Sequence, residues 1–124
     1  MTKRILIIED EEDNRAIMRD LLITAGYNLI EAVDGEEGVK LAQRERPDLI
    51  LMDIQLPILD GYEATRRIRA SAELKSIPII AVTSYALRGD DAKARAAGCD
   101  SYVAKPFSPR ELLAKVREFL PNAE

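Results

Sequence analysis

Short apolar runs alternate with longer segments of helical periodicity along the whole chain. Five runs have a strand-like pattern, and they are Ile5–Ile8, Leu29–Val33, Leu49–Met52, Ile79–Val82 and Tyr102–Ala104. Strand and helix patterns that alternate in this way predict βα units and a mostly parallel sheet. The central runs are continuously apolar, which is typical of strands covered by helices on both faces. The second run half alternates and therefore predicts an edge strand.

Several helix ends can also be predicted from single residues. Asp34 with Glu37, and Ser108 with Glu111, have the spacing of capping pairs at helix starts. Gly26 is a natural C-terminal cap for the first helix. The first and last helices each have one apolar face, formed by Met18, Leu21, Leu22 and Ala25 and by Leu112, Leu113, Val116, Phe119 and Leu120.

The composition is that of one globular domain. A length of 124 residues suffices for a real core, and 47% hydrophobic with 32% charged residues argues against disorder. We find no repeat or linker, so we expect residues 1–124 to form a single domain without a separate output domain. Twenty-two acidic against 18 basic residues disfavour a non-specific nucleic-acid binder.

Residue types and segments that the sequence lacks exclude further classes of protein. The absence of histidine excludes histidine-based catalysis and histidine metal ligation. No segment is apolar for long enough to span a bilayer or to form a signal peptide. The single cysteine, Cys99, fits a reducing compartment and is expected to be a small buried side chain. We therefore expect a cytoplasmic protein that contacts no membrane.

Polar residues end four of the five apolar runs. Glu9–Asp10, Asp53, Thr83 and Lys105 follow the first, third, fourth and fifth runs, whereas the second run contributes no such residue. Because open α/β sheets bind ligands at the carboxyl ends of their strands, these side chains predict a functional site at that edge.

The acids after the first strand indicate which ligand to expect. Glu9 to Asp13 are all acidic and would repel a phosphate, which argues against dinucleotide, FMN and P-loop sites. Oxygen ligands of this kind attract Mg²⁺. Glu11, Glu12 and Asp13 are also explained as a solvated loop that favours a helix N-terminus. Glu9 and Asp10 are less easily explained in that way, because they directly continue a buried strand.

Asp53 ends a central apolar strand, where an unpaired carboxylate is unfavourable. Two roles fit it, metal ligand and nucleophile that forms an acyl phosphate. Glu9, Asp10 and Asp53 carry three negative charges, and Mg²⁺ with Lys105 returns three positive ones. A transferring phosphoryl group needs such a cationic clamp, to which Thr83 would add a neutral hydrogen-bond donor.

In this order and context, the residues resemble the receiver domain of bacterial two-component response regulators, over essentially the full length. The matching pieces are Glu9–Asp10, Asp53, Pro57 to Gly61, Thr83 and Lys105 to Phe107. The resemblance implies a flavodoxin-like (βα)5 fold, a doubly wound parallel sheet with strand order 2-1-3-4-5. The chain is most similar to stand-alone receivers, including the DivK type, and to receivers of hybrid kinases.

The resemblance also implies a role for each site residue. Asp53 is then the phosphoacceptor, and Lys105 contacts the phosphoryl group. Asp10, Asp53 and the backbone carbonyl of Gln55 would ligate Mg²⁺, with Glu9 acting through water. Many relatives have an Asp-Asp pair where this chain has Glu9–Asp10, but the longer side chain still reaches a water-bridged position.

Further residues are implied to form the switch. Thr83 and Tyr102 would respond to phosphorylation, the hydroxyl moving toward the phosphoryl group while the ring turns inward. A cis peptide bond at Pro106 would set the angle of the preceding lysine. Gln55 and Tyr85, which flank the site, would tune the rate of dephosphorylation.

The implied partners are proteins. The phosphoryl group would come from a histidine of a sensor kinase or histidine phosphotransfer protein, docked on Asn14, Met18, Pro106 and Phe107. An equally weighted alternative is that Met18 is core and Phe107 packs under the last helix. Output would be contact with a downstream target protein through the fourth helix, fifth strand and fifth helix. Whether a homodimer forms through that face is left open, and no direct contact with nucleic acid is expected.

Two other functions compete with the receiver. A Mg²⁺-dependent phosphatase of the haloacid dehalogenase type also phosphorylates an aspartate, but it needs a general acid two residues further on, where this chain has Gln55. The other is an interaction module that has lost phosphorylation, against which the complete set of site residues argues. We therefore expect a phosphorylation-dependent switch and not an enzyme that acts on other substrates.

Overall fold

The computed structural model describes residues 2–83 and 90–121. Its elements, in chain order, are β1 (Arg4–Ile8), α1 (Glu12–Thr24), β2 (Asn28–Ala32), α2 (Gly35–Glu45), β3 (Leu49–Asp53), α3 (Gly61–Arg69), β4 (Ile79–Thr83), α4 (Asp90–Ala97), β5 (Ser101–Ala104) and α5 (Pro109–Phe119). A short 3-10 helix at Ala72–Leu74, which the sequence pattern did not predict, lies between α3 and β4.

The strands form one parallel sheet in the order β2-β1-β3-β4-β5. This confirms the predicted flavodoxin-like topology and the edge position of the second strand. Strands β3 and β4, which are continuously apolar up to their last residue, are buried at every position. Helices on both faces explain why these strands lack the alternation of a half-exposed sheet.

The core consists of one apolar cluster on each face of the sheet. On one face, α1 and α5 pack their predicted apolar sides against alternate strand residues, through Met18, Leu22, Leu112 and Val116. On the other face α2, α3 and α4 contribute Val39, Ala42, Ala64, Ile68 and Ala94. Each fully buried Leu, Ile or Met side chain stabilises the fold by about 1.5–3 kcal/mol. Cys99 belongs to the second cluster, as predicted for a small buried side chain.

The helix caps follow the predicted residues, with one difference. The Ser108 side chain accepts a hydrogen bond from the Glu111 amide at 3.0 Å, and Asp34 accepts from the Glu37 amide at 2.7 Å. The Glu37 carboxylate accepts from the Val33 amide, one residue before the cap, because the chain turns into α2 at that point. The two residues still satisfy two free amide groups at the start of α2.

Helix α3 begins directly against the end of β3. The Gly61 amide donates to the Ile54 carbonyl at 2.8 Å, and a Cβ at Gly61 would lie 2.4 Å from the Asp53 carbonyl oxygen. Only glycine permits this approach. In the loop before it, Ile58 is exposed and has a φ of 72°. The contact at Gly61 fixes the backbone beside Asp53.

Candidate functional site

The structure brings the predicted polar residues together at the carboxyl edge of the sheet. Glu9, Asp53 and Thr83 are buried, and the Lys105 side chain is 12% exposed. Strand register places them side by side, because Asp53 pairs with Val82 in β4 and Thr83 pairs with Ala104 in β5. Four strand ends therefore converge on one small region.

A single ammonium group serves two carboxylates in this region. The Lys105 Nζ lies 2.7 Å from Glu9 Oε1 and 3.4 Å from Asp53 Oδ2. The second oxygen of each carboxylate accepts a backbone amide, that of Glu11 at 3.1 Å and that of Gln55 at 3.1 Å. Such bonds orient the carboxylates but leave one positive charge for two buried negative ones.

This imbalance changes the acidity of the groups. Burial raises the pKa of Asp53 to about 7, the Glu9 charge acts in the same direction, and Lys105 opposes both. Burial acts to lower the pKa of Lys105, but its hydrogen bond to Glu9 and the charges of Asp53 and Glu9 outweigh this and raise it. The ammonium therefore stays charged, while ionised Asp53 lacks charge compensation.

The donor set fits a magnesium ion. Glu9, Asp10 and Asp53 each offer one carboxylate oxygen, and these oxygens lie within 4.8 Å of one another. Octahedral Mg²⁺, with ligands at about 2.1 Å, holds neighbouring oxygens about 3 Å and opposite ones about 4 Å apart. Asp10 is exposed, so water can reach the site. With Lys105 counted, the four side chains carry two surplus negative charges, the charge that Mg²⁺ neutralises.

The remaining predicted residues lie around this centre. The Thr83 carbonyl accepts the Lys105 amide at 2.7 Å, which ties the end of β4 to the lysine backbone. Tyr102 is half-buried against the core cluster of α2, α3 and α4. The Lys105–Pro106 peptide bond is cis. The Gln55 side-chain nitrogen is buried without a hydrogen-bond partner, and Tyr85 lies outside the described residues.

The predicted docking residues divide into two groups. Met18 is 1% exposed and packs between α1 and α5, so its prediction as a docking residue was wrong and the alternative assignment to the core was right. The neighbouring Ile17, which the sequence reasoning missed, is 52% exposed. A groove of about 320 Å³, here called the α1–β5 groove, is lined by Asn14, Ile17, Lys105, Pro106 and Phe107. Phe107 also packs against the α1–α5 cluster, which confirms the packing interpretation of that residue, while its docking role stays a prediction.

A second residue missed by the sequence reasoning is Arg15. Its Nη1 donates to the backbone carbonyls of Glu9 at 2.9 Å and Asp10 at 3.2 Å. Its Nε lies 3.4 Å from Glu31 of β2. No spacing rule predicts these contacts, because two are to backbone carbonyls and the third joins α1 to β2. The one available signal was a basic residue two positions after a run of five acids.

Among the residues that the structure describes, none of the helices is long and apolar enough to cross a membrane.

Comparison with known proteins agrees with this geometry. A model of the response regulator receiver domain matches residues 5–117. The polar-differentiation response regulator DivK of Brucella ovis is 42% identical over 99% of this chain and 100% of the relative. The receiver domain of a Pseudomonas aeruginosa sensor histidine kinase, solved with magnesium in its active-site cleft, is 40% identical with a TM-score of 0.90, covering 98% of this chain and 100% of that one. Chemotaxis protein CheY4 of Vibrio cholerae is 28% identical with a TM-score of 0.91, covering 96% and 99%.

Proposed function

The chain belongs to the response regulator receiver family of two-component signalling, and from that premise we propose that Asp53 accepts a phosphoryl group from a phosphohistidine. The observation that carries the proposal is the surplus negative charge around a buried carboxylate. Asp53 is 3% exposed and shares one ammonium with Glu9. A structural carboxylate in such a position would have its own cation, whereas a phosphoacceptor needs room for one.

The chemistry is a transfer between two side chains. An oxygen of Asp53 forms a bond to phosphorus as the phosphorus–nitrogen bond of the donor histidine breaks, and the leaving imidazole takes a proton. Lys105 lies 3.4 Å from the attacking carboxylate and so stands where the phosphoryl oxygens develop charge. Thr83 would donate a hydrogen bond to one of those oxygens.

We assign Mg²⁺ to Asp10, Asp53 and the backbone carbonyl of Gln55, with Glu9 acting through water. The carboxylate cluster supports this assignment, and the magnesium-bound Pseudomonas aeruginosa receiver is a relative in which such a site is occupied. When bound, the ion neutralises charge on Asp53 and on the incoming phosphoryl oxygens. Gln55 and Tyr85 are proposed to tune the lifetime of the phosphorylated state.

Phosphorylation would be read out by other proteins. An aspartyl phosphate adds about one negative charge and several acceptor oxygens. Thr83 and Tyr102 are proposed to convert this change into a movement of the surface of α4, β5 and α5, to which a downstream target binds. The same surface is proposed as the place where a homodimer would form. We also propose that the protein is cytoplasmic.

The phosphodonor is proposed to dock on the α1–β5 groove. Asn14, Ile17, Pro106 and Phe107 surround it, and Lys105 is shared between the groove and the acidic site. A partner that fills the groove therefore lies beside Asp53, as transfer from a sensor kinase or histidine phosphotransfer protein requires. Direct contact with nucleic acid forms no part of this proposal.

Labelling with acetyl phosphate and Mg²⁺ tests the phosphoacceptor directly. We expect one phosphoryl group on the unsubstituted protein and none on Asp53→Asn, as measured by intact mass. Asp20→Asn is the matched control, because Asp20 is an exposed acid on α1 and should leave labelling unchanged. Equal labelling of Asp53→Asn and the unsubstituted protein would contradict the assignment.

Multiple turnover of a phosphomonoester distinguishes the phosphatase alternative from the receiver. A phosphatase of that type hydrolyses many phosphomonoester molecules per chain, whereas a receiver does not. Gln55 stands where the phosphatase needs a general acid, and an amide cannot take that role. Repeated turnover of p-nitrophenyl phosphate by the purified chain would therefore replace the receiver proposal. An interaction module that has lost phosphorylation would show neither turnover nor labelling.

A further inference from the structure

Arg15 connects the backbone of the acidic loop to the rest of the sheet. Its side chain is 12% exposed although it carries a full charge. Both carbonyls that it binds belong to residues whose carboxylates face Asp53. We propose that Arg15 is a positioning residue for Mg²⁺, which holds Glu9 and Asp10 in the geometry that binds the ion. This inference rests on the proposed function, because it concerns the same site.

The position of the two carbonyls explains why they need a partner. The Glu9 amide still donates to the Ala32 carbonyl at 3.0 Å, but β1 ends at Ile8 and α1 begins at Glu12. The carbonyls of Glu9 and Asp10 therefore lie between two elements. The guanidinium is planar with fixed donor directions, so one group can fix two carbonyls at once.

Arg15 is itself held in place by carboxylates. Its Nε lies 3.4 Å from Glu31 Oε1, and its other terminal nitrogen bonds to Glu12. Glu31 is fixed in turn by Arg19, through contacts of 2.7 and 2.8 Å. The hydrogen bond from Arg19 outweighs burial and lowers the pKa of Glu31, so Glu31 stays ionised. The edge strand β2, which was predicted to contribute no residue to the site, thus supports it through Glu31.

The sign of the effect separates positioning from charge. The positive charge of Arg15 repels a cation, so its removal would tighten Mg²⁺ binding if charge alone mattered. If Arg15 acts by fixing the loop, its removal loosens the carboxylates and weakens binding. The two explanations therefore predict opposite changes in the dissociation constant.

The test is a Mg²⁺ titration followed by amide NMR shifts, with circular dichroism as the check on folding. We expect Arg15→Gln to raise the dissociation constant about tenfold, the size typical of residues that orient metal ligands. Arg15→Lys keeps the charge but lacks the planar guanidinium. We expect its dissociation constant for Mg²⁺ to lie between those of the unsubstituted protein and Arg15→Gln. Arg44→Gln is the control, because Arg44 is an exposed arginine on α2 that pairs with the adjacent Glu45. It should bind Mg²⁺ as the unsubstituted protein does.

A second readout uses acetyl phosphate. The labelling rate of Arg15→Gln should recover at saturating Mg²⁺, which damage to the fold would not allow. An unchanged or lowered dissociation constant in Arg15→Gln would overturn the inference and leave the receiver function intact. If Arg15→Gln does not fold, the dissociation constant of Arg15→Lys is compared with that of the unsubstituted protein, and an unchanged or lowered value again overturns the inference. Failure of the unsubstituted protein to bind Mg²⁺ would instead contradict the proposed function.

Discussion

The two edges of the sheet compensate their charges to different extents. At the amino edge, the guanidinium of Arg69 pairs with Asp100 at 2.7 Å and donates to four backbone carbonyls, those of Gly98, Leu74, Lys75 and Ile77. At the carboxyl edge, the two carboxylates of Glu9 and Asp53 share one ammonium, and exposed Asp10 adds a third negative charge. The first edge is electrically complete, whereas the second is two positive charges short.

This difference separates stability from chemistry. A cation that meets a carboxylate and several carbonyls satisfies every partner and locks the ends of neighbouring strands. A cluster with surplus negative charge is unfavourable in the isolated protein and becomes favourable when a cation or a phosphoryl group with its cation arrives. We therefore expect substitutions at the two edges to change stability in opposite directions.

The largest expected effect is at the amino edge. Arg69→Ala leaves four backbone carbonyls without this donor and removes the pair with Asp100, so we expect the free energy of unfolding to fall by about 3 kcal/mol in urea denaturation. Arg67→Ala, on the same helix, removes an exposed pair with Glu63 and should change stability by less than about 0.5 kcal/mol. Similar losses in both variants would contradict a structural role for the Arg69 network.

A smaller effect of opposite sign is expected at the carboxyl edge. The pKa of Asp53 is about 7 in the folded protein and close to 4 in the unfolded chain. Between these values the folded state binds more protons, so the stability of the unsubstituted protein falls as pH rises from 4 to 7. Without Mg²⁺, Asp53→Asn should therefore be more stable by about 2 kcal/mol at pH 8, because the amide carries no charge that burial and Glu9 disfavour.

The check is urea denaturation of both proteins in the presence of a chelator. The difference between them should be largest above pH 7 and shrink toward pH 4. A difference that does not depend on pH would show that Asp53 is compensated in the folded protein.

The smallest of the three effects comes from the metal itself. At a free Mg²⁺ concentration ten times the dissociation constant, binding to the folded state should add about 1.4 kcal/mol to the free energy of unfolding. The increment should persist in Arg69→Ala, because that residue lies at the other edge, and it should shrink in Asp53→Asn. A chelator should remove it in thermal denaturation, and an equal increment in Asp53→Asn would place the ion elsewhere.

Most of the fold could be predicted because the signals were local. Continuous apolar runs gave β3 and β4, and the caps Ser108 and Asp34 gave two helix starts. The strand order came from the resemblance, since periodicity alone does not determine which strands are neighbours. The Glu37 carboxylate accepts a hydrogen bond from the Val33 amide and not from the amide of the cap residue Asp34, which depends on the turn and not on the spacing.

The part of the candidate site that consists of residues at strand ends could be predicted from the sequence. Asp53 and Lys105 each follow an apolar run, so their convergence required only a parallel sheet. Residues that act through backbone or across elements gave no such signal, as with Arg15. Periodicity placed Met18 on the apolar face of the first helix but did not decide between a core role and a docking role, and it gave no sign that the neighbouring Ile17 is exposed.

The contact between Glu9 and Lys105 joins residues 96 positions apart, and this has a consequence for synthesis on the ribosome. Strands β1, β3 and β4 leave the ribosome before β5 and could already pair with one another. Such a partial sheet would bury Glu9 and Asp53 without their ammonium group, which is strongly unfavourable. A growing chain is therefore discouraged from closing its acidic edge until the final strand has been made, and Lys105, which we propose contacts the phosphoryl group, would also be the residue that allows that edge to close.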